Sequence, residues 1–263
     1  MSQSGKTKKA PPISPRALRY LLIGSILLYW EMAPRMEWTS PVMLASLSET
    51  LHIGVLDIAN FARHLGVTLY ELVLALMISF LGGAAAGLIL GGFRPLRETL
   101  LPLMSSIYAV PLVIIYPVFT AWVGIGSESK ILFGGIYGFF PMMLATAAGV
   151  QTVDNKLLIA ARSMGADRKQ LVLEVMLPAA IPSVRSGLRL GAAMAAIGVV
   201  VAEMMAATAG IGFLITQNRT MFNTAEVYFG VILVLVLAGV LDWTIRAIER
   251  RAAGWYPQKE TAL

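Results

Sequence analysis

Long uncharged apolar runs dominate this chain, and nowhere do apolar and polar residues alternate as they would along a half-buried strand. Leu72–Phe93 carries no charge across 22 residues, Thr99–Ser127 none across 29, and Ile131–Val153 none across 23. Leu190–Asn218 carries a single charge, Glu203, and its last third reads as an outer loop. A run of about 20 apolar residues is what a helix needs to cross a bilayer core. These four runs therefore predict membrane-spanning helices. Two shorter ones complete the set: Leu18–Ala33, interrupted by Arg19 and Glu31, and Val227–Ile245, with Asp242 near its end. The expected fold is all-α and polytopic, with about six transmembrane helices. Pro102, Pro111 and Pro117 fall inside the third span and must bend or break it, because proline removes a helical donor and clashes with the preceding turn.

Composition agrees with this pattern. Of 263 residues, 57% are hydrophobic and 14% charged, where soluble domains carry about 25% charged residues. A water-facing surface cannot be covered from such a composition, which excludes soluble enzymes and disordered chains. The net charge of +6 is explained by its distribution. With the N-terminus cytoplasmic, the inner segments 1–19, 94–97, 154–189 and 246–263 hold seventeen of the 21 Lys and Arg. Only Arg35, Arg63, Lys130 and Arg219 fall outside. That is the positive-inside bias of a membrane protein, not a nucleic-acid surface. Residues 1–17 read as a disordered basic leader, 18–250 as the membrane domain and 251–263 as a cytoplasmic tail. No cysteine is present, so there are no disulfides or thiolate metal sites. His52 and His64 stand twelve apart without a ligand pattern and read as polar groups of an aqueous outer loop; no metal site is expected.

Catalytic chemistry is missing from the pattern. The stretch GIGSESK at 124–130 lacks the spacing of a phosphate-binding loop, and no HExxH or GxSxG occurs. The acidic residues within or beside spans, Glu31, Glu71, Glu203 and Asp242, are isolated in sequence, so no catalytic residue is assigned. Gly83, Gly87 and Gly91 repeat every four residues, as do Gly187 and Gly191. Such small-residue stripes let helices approach closely. Met142, Met143, Met204 and Met205 read as packing residues.

The inner loop 152–191 is the most informative segment. Lys156–Met164 predicts a short amphipathic helix, which Gly165 stops. Asp167 is placed to cap a second, Arg168–Met176. Pro178 is expected to end that helix and Pro182 to open the next span. Two short helices meeting at a kinked joint make a docking element.

This loop resembles the signature of permease subunits of binding-protein-dependent ABC importers: Glu-Ala-Ala, three residues, Gly, nine residues, Ile-x-Leu-Pro. Here Ile159, Ala160 and Ala161 are followed by Gly165 and then by Val175, Met176, Leu177 and Pro178, with every interval kept. The stretches 105–131 and 200–215 look like the nitrate/sulfonate/taurine branch. The family's glutamate is Ile159 here, so its ionic contact is absent or comes from a neighbour such as Glu174 or Asp167.

The resemblance implies a type I importer permease with a cytoplasmic coupling-helix loop, which makes it a non-catalytic subunit of the cell (inner) membrane. It would work with a second permease copy, two ATP-binding cassette subunits and an extracytoplasmic substrate-binding protein. ATP and Mg would belong to the partner subunit, with no cofactor in this chain. Ile159, Ala160, Ala161, Gly165, Asp167, Val175, Leu177 and Pro178 would form the ATPase-coupling element. Tyr108, Pro111 and Tyr116 in the proline-broken span, together with Glu203, are the candidate pathway residues, since an ionisable residue within a span is a functional hypothesis by default. Glu203 has an equally good alternative as a hydrogen-bond partner of the Gly-Ile-Gly turn at 210–212. The solute would be a small anion such as a sulfonate, taurine or nitrate. The alternatives are a vitamin precursor or aromatic acid carried by the same machinery, or a self-contained secondary transporter.

Overall fold

Ser14 opens the first helix by accepting a hydrogen bond from the Ala17 amide, with Pro15 at the first helical position. The computed structural model describes residues 14–40 and 42–253, and within them every regular element is helical. The helices are α1 (Pro15–Arg35), α2 (Leu47–Leu56), α3 (Ile58–Met77), α4 (Gly83–Gly92), α5 (Arg94–Ala109), α6 (Tyr116–Val123) and α7 (Ser127–Gln151). They continue with α8 (Asn155–Ser163), α9 (Arg168–Gln170), α10 (Leu177–Met205), α11 (Ile211–Thr220) and α12 (Thr224–Ala253).

Four stretches are long and apolar enough to cross a membrane: Ile58–Gly92, Ser127–Gln151, Leu171–Met205 and Thr224–Arg251. A fifth is broken. Arg94–Ala109 and Leu112–Val123 meet at 83°, where Val110 and Pro111 take extended dihedrals. Pro111 accounts for the break, having no amide to donate into a continued ladder. The α1 helix, 21 residues long, carries Arg16, Arg19, Glu31 and Arg35 and does not reach the same apolar threshold.

Three expectations change. The outer segment holding His52 and His64 is not a loop but helical from Leu47 on: Ser46 caps α2 by accepting from the Glu49 amide, and the second span begins at Ile58, fourteen residues ahead of its uncharged core. The last span, Thr224–Arg251, is longer than 227–245. Pro178 does not end a helix. The backbone passes from α9 through a π turn, Leu171–Met176, straight into α10, and the Leu177 amide donates to the Val172 carbonyl, five residues back. A widened turn accommodates a residue without a donor, so Pro178 and Pro182 both sit inside one rod. At the ends of the chain, α1 starts at Pro15, inside the leader; residues 1–13 and 254–263 lie outside the described residues.

The bundle is built around α7, and the glycine stripes are what it packs through. A Cβ on Gly83 would overlap Met142, one on Gly87 the Met143 carbonyl and Thr146, and one on Gly91 Val150. On the other side of α7, a Cβ on Gly191 would lie 2.9 Å from the Gly138 carbonyl. Backbone thus meets backbone along α4, α7 and α10, the arrangement that small residues permit in membrane bundles. Met142 and Met143 are buried in this contact.

Candidate functional site

The loop that follows α7 begins at Asp154, whose carboxylate accepts from the Lys156 amide 2.9 Å away. Helix α8 ends in a left-handed joint. Gly165 has φ +89°, its amide donates to the Arg162 carbonyl at 3.0 Å, and the next amide, of Ala166, donates to Ala161 at 3.1 Å. No atom lies within 4 Å of a Cβ placed on Gly165, so glycine is required there by the dihedral and not by crowding. Asp167 and Gln170 then form a reciprocal cap: the Gln170 amide donates to Asp167 at 2.7 Å, and the Asp167 amide to Gln170 at 2.9 Å.

The joint is presented outward. Met164 is 83% exposed and Ile159 62%. Leu157, Ala160, Ala161 and Met164 on one side, with Glu174, Val175, Pro178 and Arg185 on the other, line a cleft of about 600 Å³. Glu174 therefore faces the cleft that holds Ala160 and Ala161, whereas Asp167 is engaged in capping. Leu177 lies half-buried at the start of α10.

The four pathway candidates do not come together as one site. Tyr108 stacks on Phe140 with ring centroids 5.7 Å apart, and Pro111 is exposed at the break. Tyr116 is buried against Phe133, and its hydroxyl donates to the Ala206 carbonyl at 3.2 Å. Glu203, 1% exposed, accepts from the Gly212 amide at 2.8 Å and from the Thr68 hydroxyl at 2.7 Å. The alternative reading of Glu203, as partner of the Gly-Ile-Gly turn, describes its contacts in this structure.

Around Glu203 lies a polar cluster that sequence reasoning missed. His64, read as a loop residue, is buried, and its Nδ1 accepts from the Gly210 amide at 3.0 Å. Thr68 accepts from the Ile211 amide at 2.9 Å. Lys130, 2% exposed, lies 2.6 Å from Glu71, which is fully buried. The Lys130 ammonium also donates to the Ala209 carbonyl at 3.4 Å. The signal was present: positions 64, 68 and 71 recur at helical spacing and mark one polar stripe on an apolar helix. His52, by contrast, is exposed on α2, as expected of a residue facing water.

Comparison with known proteins agrees with this architecture. The sequence profile of the family described as binding-protein-dependent transport system inner membrane component matches residues 65–254. The taurine transport system permease protein TauC of Escherichia coli K12 is 31% identical over 242 residues, covering 89% of this chain and 88% of that one. The putative aliphatic sulfonates transport permease protein SsuC of Bacillus subtilis 168 is 35% identical over 196 residues, covering 73% and 70%. A formylaminopyrimidine permease of Halalkalibacterium halodurans and a riboflavin permease of Chloroflexus aurantiacus are 26% and 30% identical. Among solved structures, the inward-facing methionine ABC transporter MetNI matches with a TM-score of 0.66 at 20% identity, covering 74% of this chain and 96% of that one, which supports the type I permease fold. The chain belongs to the binding-protein-dependent transport family, as a membrane-spanning permease subunit of an ABC importer.

Proposed function

We propose that this permease carries a small organic or inorganic anion, of the sulfonate or taurine kind, and takes its drive from ATPase subunits docked on the joint between α8 and α9. The carrying observation is that joint. A left-handed glycine and a reciprocal cap fix its angle, its apolar tip is exposed, and it runs without a break into the span Leu171–Met205. A push on Met164 or Ile159 is therefore delivered to α10 as to a lever.

In this reading the chain is the non-catalytic part of the assembly. Two ATP-binding subunits with their ATP and Mg sit on the cytoplasmic face, a second copy of the permease completes the pathway, and a binding protein delivers the solute from outside. Both termini lie in the cytoplasm, which puts the Lys130–Glu203 cluster at the extracytoplasmic end. Glu174, beside Ala160 and Ala161, takes over the ionic contact that Ile159 cannot make. A sulfonate or taurine is favoured by TauC and SsuC. The formylaminopyrimidine and riboflavin permeases support a second reading, a heteroaromatic vitamin or precursor.

Two experiments decide the matter. Affinity purification in mild detergent should bring down an ATP-hydrolysing subunit at one-to-one stoichiometry, and Gly165→Arg should abolish that co-purification while leaving the permease in the membrane. Uptake by cells lacking the permease, complemented with this chain, should then be assayed for taurine, an alkanesulfonate, nitrate and riboflavin. Restored riboflavin uptake without taurine uptake would replace the first solute reading by the second. Normal ATPase docking in Gly165→Arg would remove the coupling assignment.

A further inference from the structure

The turn between α10 and α11 is held in an unusual way. The first amides of a helix have no partners of their own, and here Gly210, Ile211 and Gly212 each find a side chain from elsewhere: His64, Thr68 and Glu203. A Cβ on Gly210 would overlap the Glu203 carboxylate, and one on Gly212 would lie 2.7 Å from the Glu203 Cβ. Gly210 also has φ +111°. Lys130 binds the carbonyl just before these amides and is paired with Glu71. Both carboxylates and the ammonium are buried. Opening this arrangement would leave the Lys130 and Glu71 charges, and the polar carboxyl of Glu203, in a low-dielectric interior without partners, which is the costly outcome for buried charge and buried polar groups.

The broken span is held quite differently. Within α5 no residue is buried, and within α6 only Tyr116 is. Its ties to the bundle are mostly apolar: Leu112 is buried with Leu90, Phe140 and Met143, and the rings of Tyr108, Tyr116 and Phe119 lie on Phe140 and Phe133. Two hydrogen bonds to neutral acceptors join them, from the Tyr116 hydroxyl to the Ala206 carbonyl and from Arg97 to the Gly91 carbonyl. Apolar rings slide without stranding a charge. The extended pair Val110–Pro111 supplies a joint at which no helical hydrogen bond has to break.

We propose that α3, α7, α10 and α11 are fused at this end into one block that stays closed through the whole transport cycle, with Thr68, Lys130 and Glu203 as its positioning residues. The bent segment Arg94–Val123 is the part that moves against it, turning at Val110–Pro111 and parting from the block at the Tyr116–Ala206 contact. The inference rests on the family assignment and is independent of which solute is carried.

Amide hydrogen–deuterium exchange reads this directly. The permease is reconstituted in nanodiscs with its co-purified ATPase and measured without nucleotide and after trapping with ATP and vanadate. Amides 209–212 should exchange equally slowly in both states, within about twofold, while exchange across 106–118 changes at least tenfold. Tenfold faster exchange at 209–212 in either state, or no change at 106–118, would overturn the block-and-hinge division. A second arm uses the permease alone in nanodiscs, so it survives failure of ATPase docking, which would count against the importer reading instead. Lys130→Met and Thr68→Val should each speed exchange at 209–212 at least tenfold and leave 138–147, deep in α7, unchanged. Slow exchange at 209–212 in both variants would refute the positioning role. Should Lys130→Met fail to fold, Thr68→Val, which keeps size and shape and loses only the hydroxyl, decides the point.

Discussion

Lys130 illustrates how far a single side chain's role departs from its place in the sequence. It lies one residue ahead of an uncharged run and, in the topological count, is one of the few basic residues outside. In the fold it is buried at 2% exposure beside Glu71. Removing one member of a buried pair leaves the other uncompensated, a loss of about 3–5 kcal/mol, whereas replacing both with apolar residues of similar size is often neutral. Lys130→Met should therefore sharply lower the fraction of permease that survives heating in detergent, measured by size-exclusion chromatography. The double variant Lys130→Met, Glu71→Met should recover most of it. Gly87 makes the complementary case for packing. A side chain there meets the Met143 backbone carbonyl, which cannot turn aside as a rotamer can, so Gly87→Leu should cost at least about 1–3 kcal/mol. At Gly24 a Cβ would meet nothing within 4 Å, and Gly24→Leu should leave the same heating assay unchanged.

At the scale of elements, what could be read in advance was what local chemistry decides. The stop at Gly165, the cap at Asp167 and the break at Pro111 each follow from one residue's dihedral or donor, and each is in the structure. What stayed hidden depended on partners remote in sequence. His64 and Thr68 are polar residues ahead of an apolar run, and only the approach of Gly210 and Ile211, 146 and 143 residues away, makes them interior. The π turn at Leu171–Met176 was hidden for another reason: it changes the ladder by one residue and leaves no mark in the apolar pattern, so Pro178 read as a stop. The capped joint also carries a prediction. Loss of a helix N-cap costs about 1 kcal/mol, and most of that should appear as freedom at the joint. Asp167→Ala should lower uptake per ATP hydrolysed in proteoliposomes several-fold with little effect on expression, and Asp167→Asn, which retains the cap, should restore coupling.

For the whole molecule, the arrangement of charge and of packing point the same way. The tightly meshed helices α4, α7 and α10 join two dissimilar ends: the exposed joint at 159–167 and the buried cluster around Glu203. Both ends terminate one rod, since the run of α9, π turn and α10 that starts beside the joint at Arg168 reaches Met205, two residues beyond Glu203. A displacement imposed at the joint is therefore carried along the rod to the far end, with the π turn and Pro178 as the places where it can bend and the close glycine contacts of Gly187 and Gly191 with α7 opposing bending beyond them. This geometry requires the two ends to lie on opposite sides of the membrane. The chain has no cysteine, so single cysteines report side without background. In intact spheroplasts, His52→Cys, on the cluster side, should react with a membrane-impermeant maleimide, and Met164→Cys should react only after permeabilisation. Equal labelling of both before permeabilisation would leave α10 with nothing to transmit across the bilayer, and the lever reading of the coupling loop would fall with it.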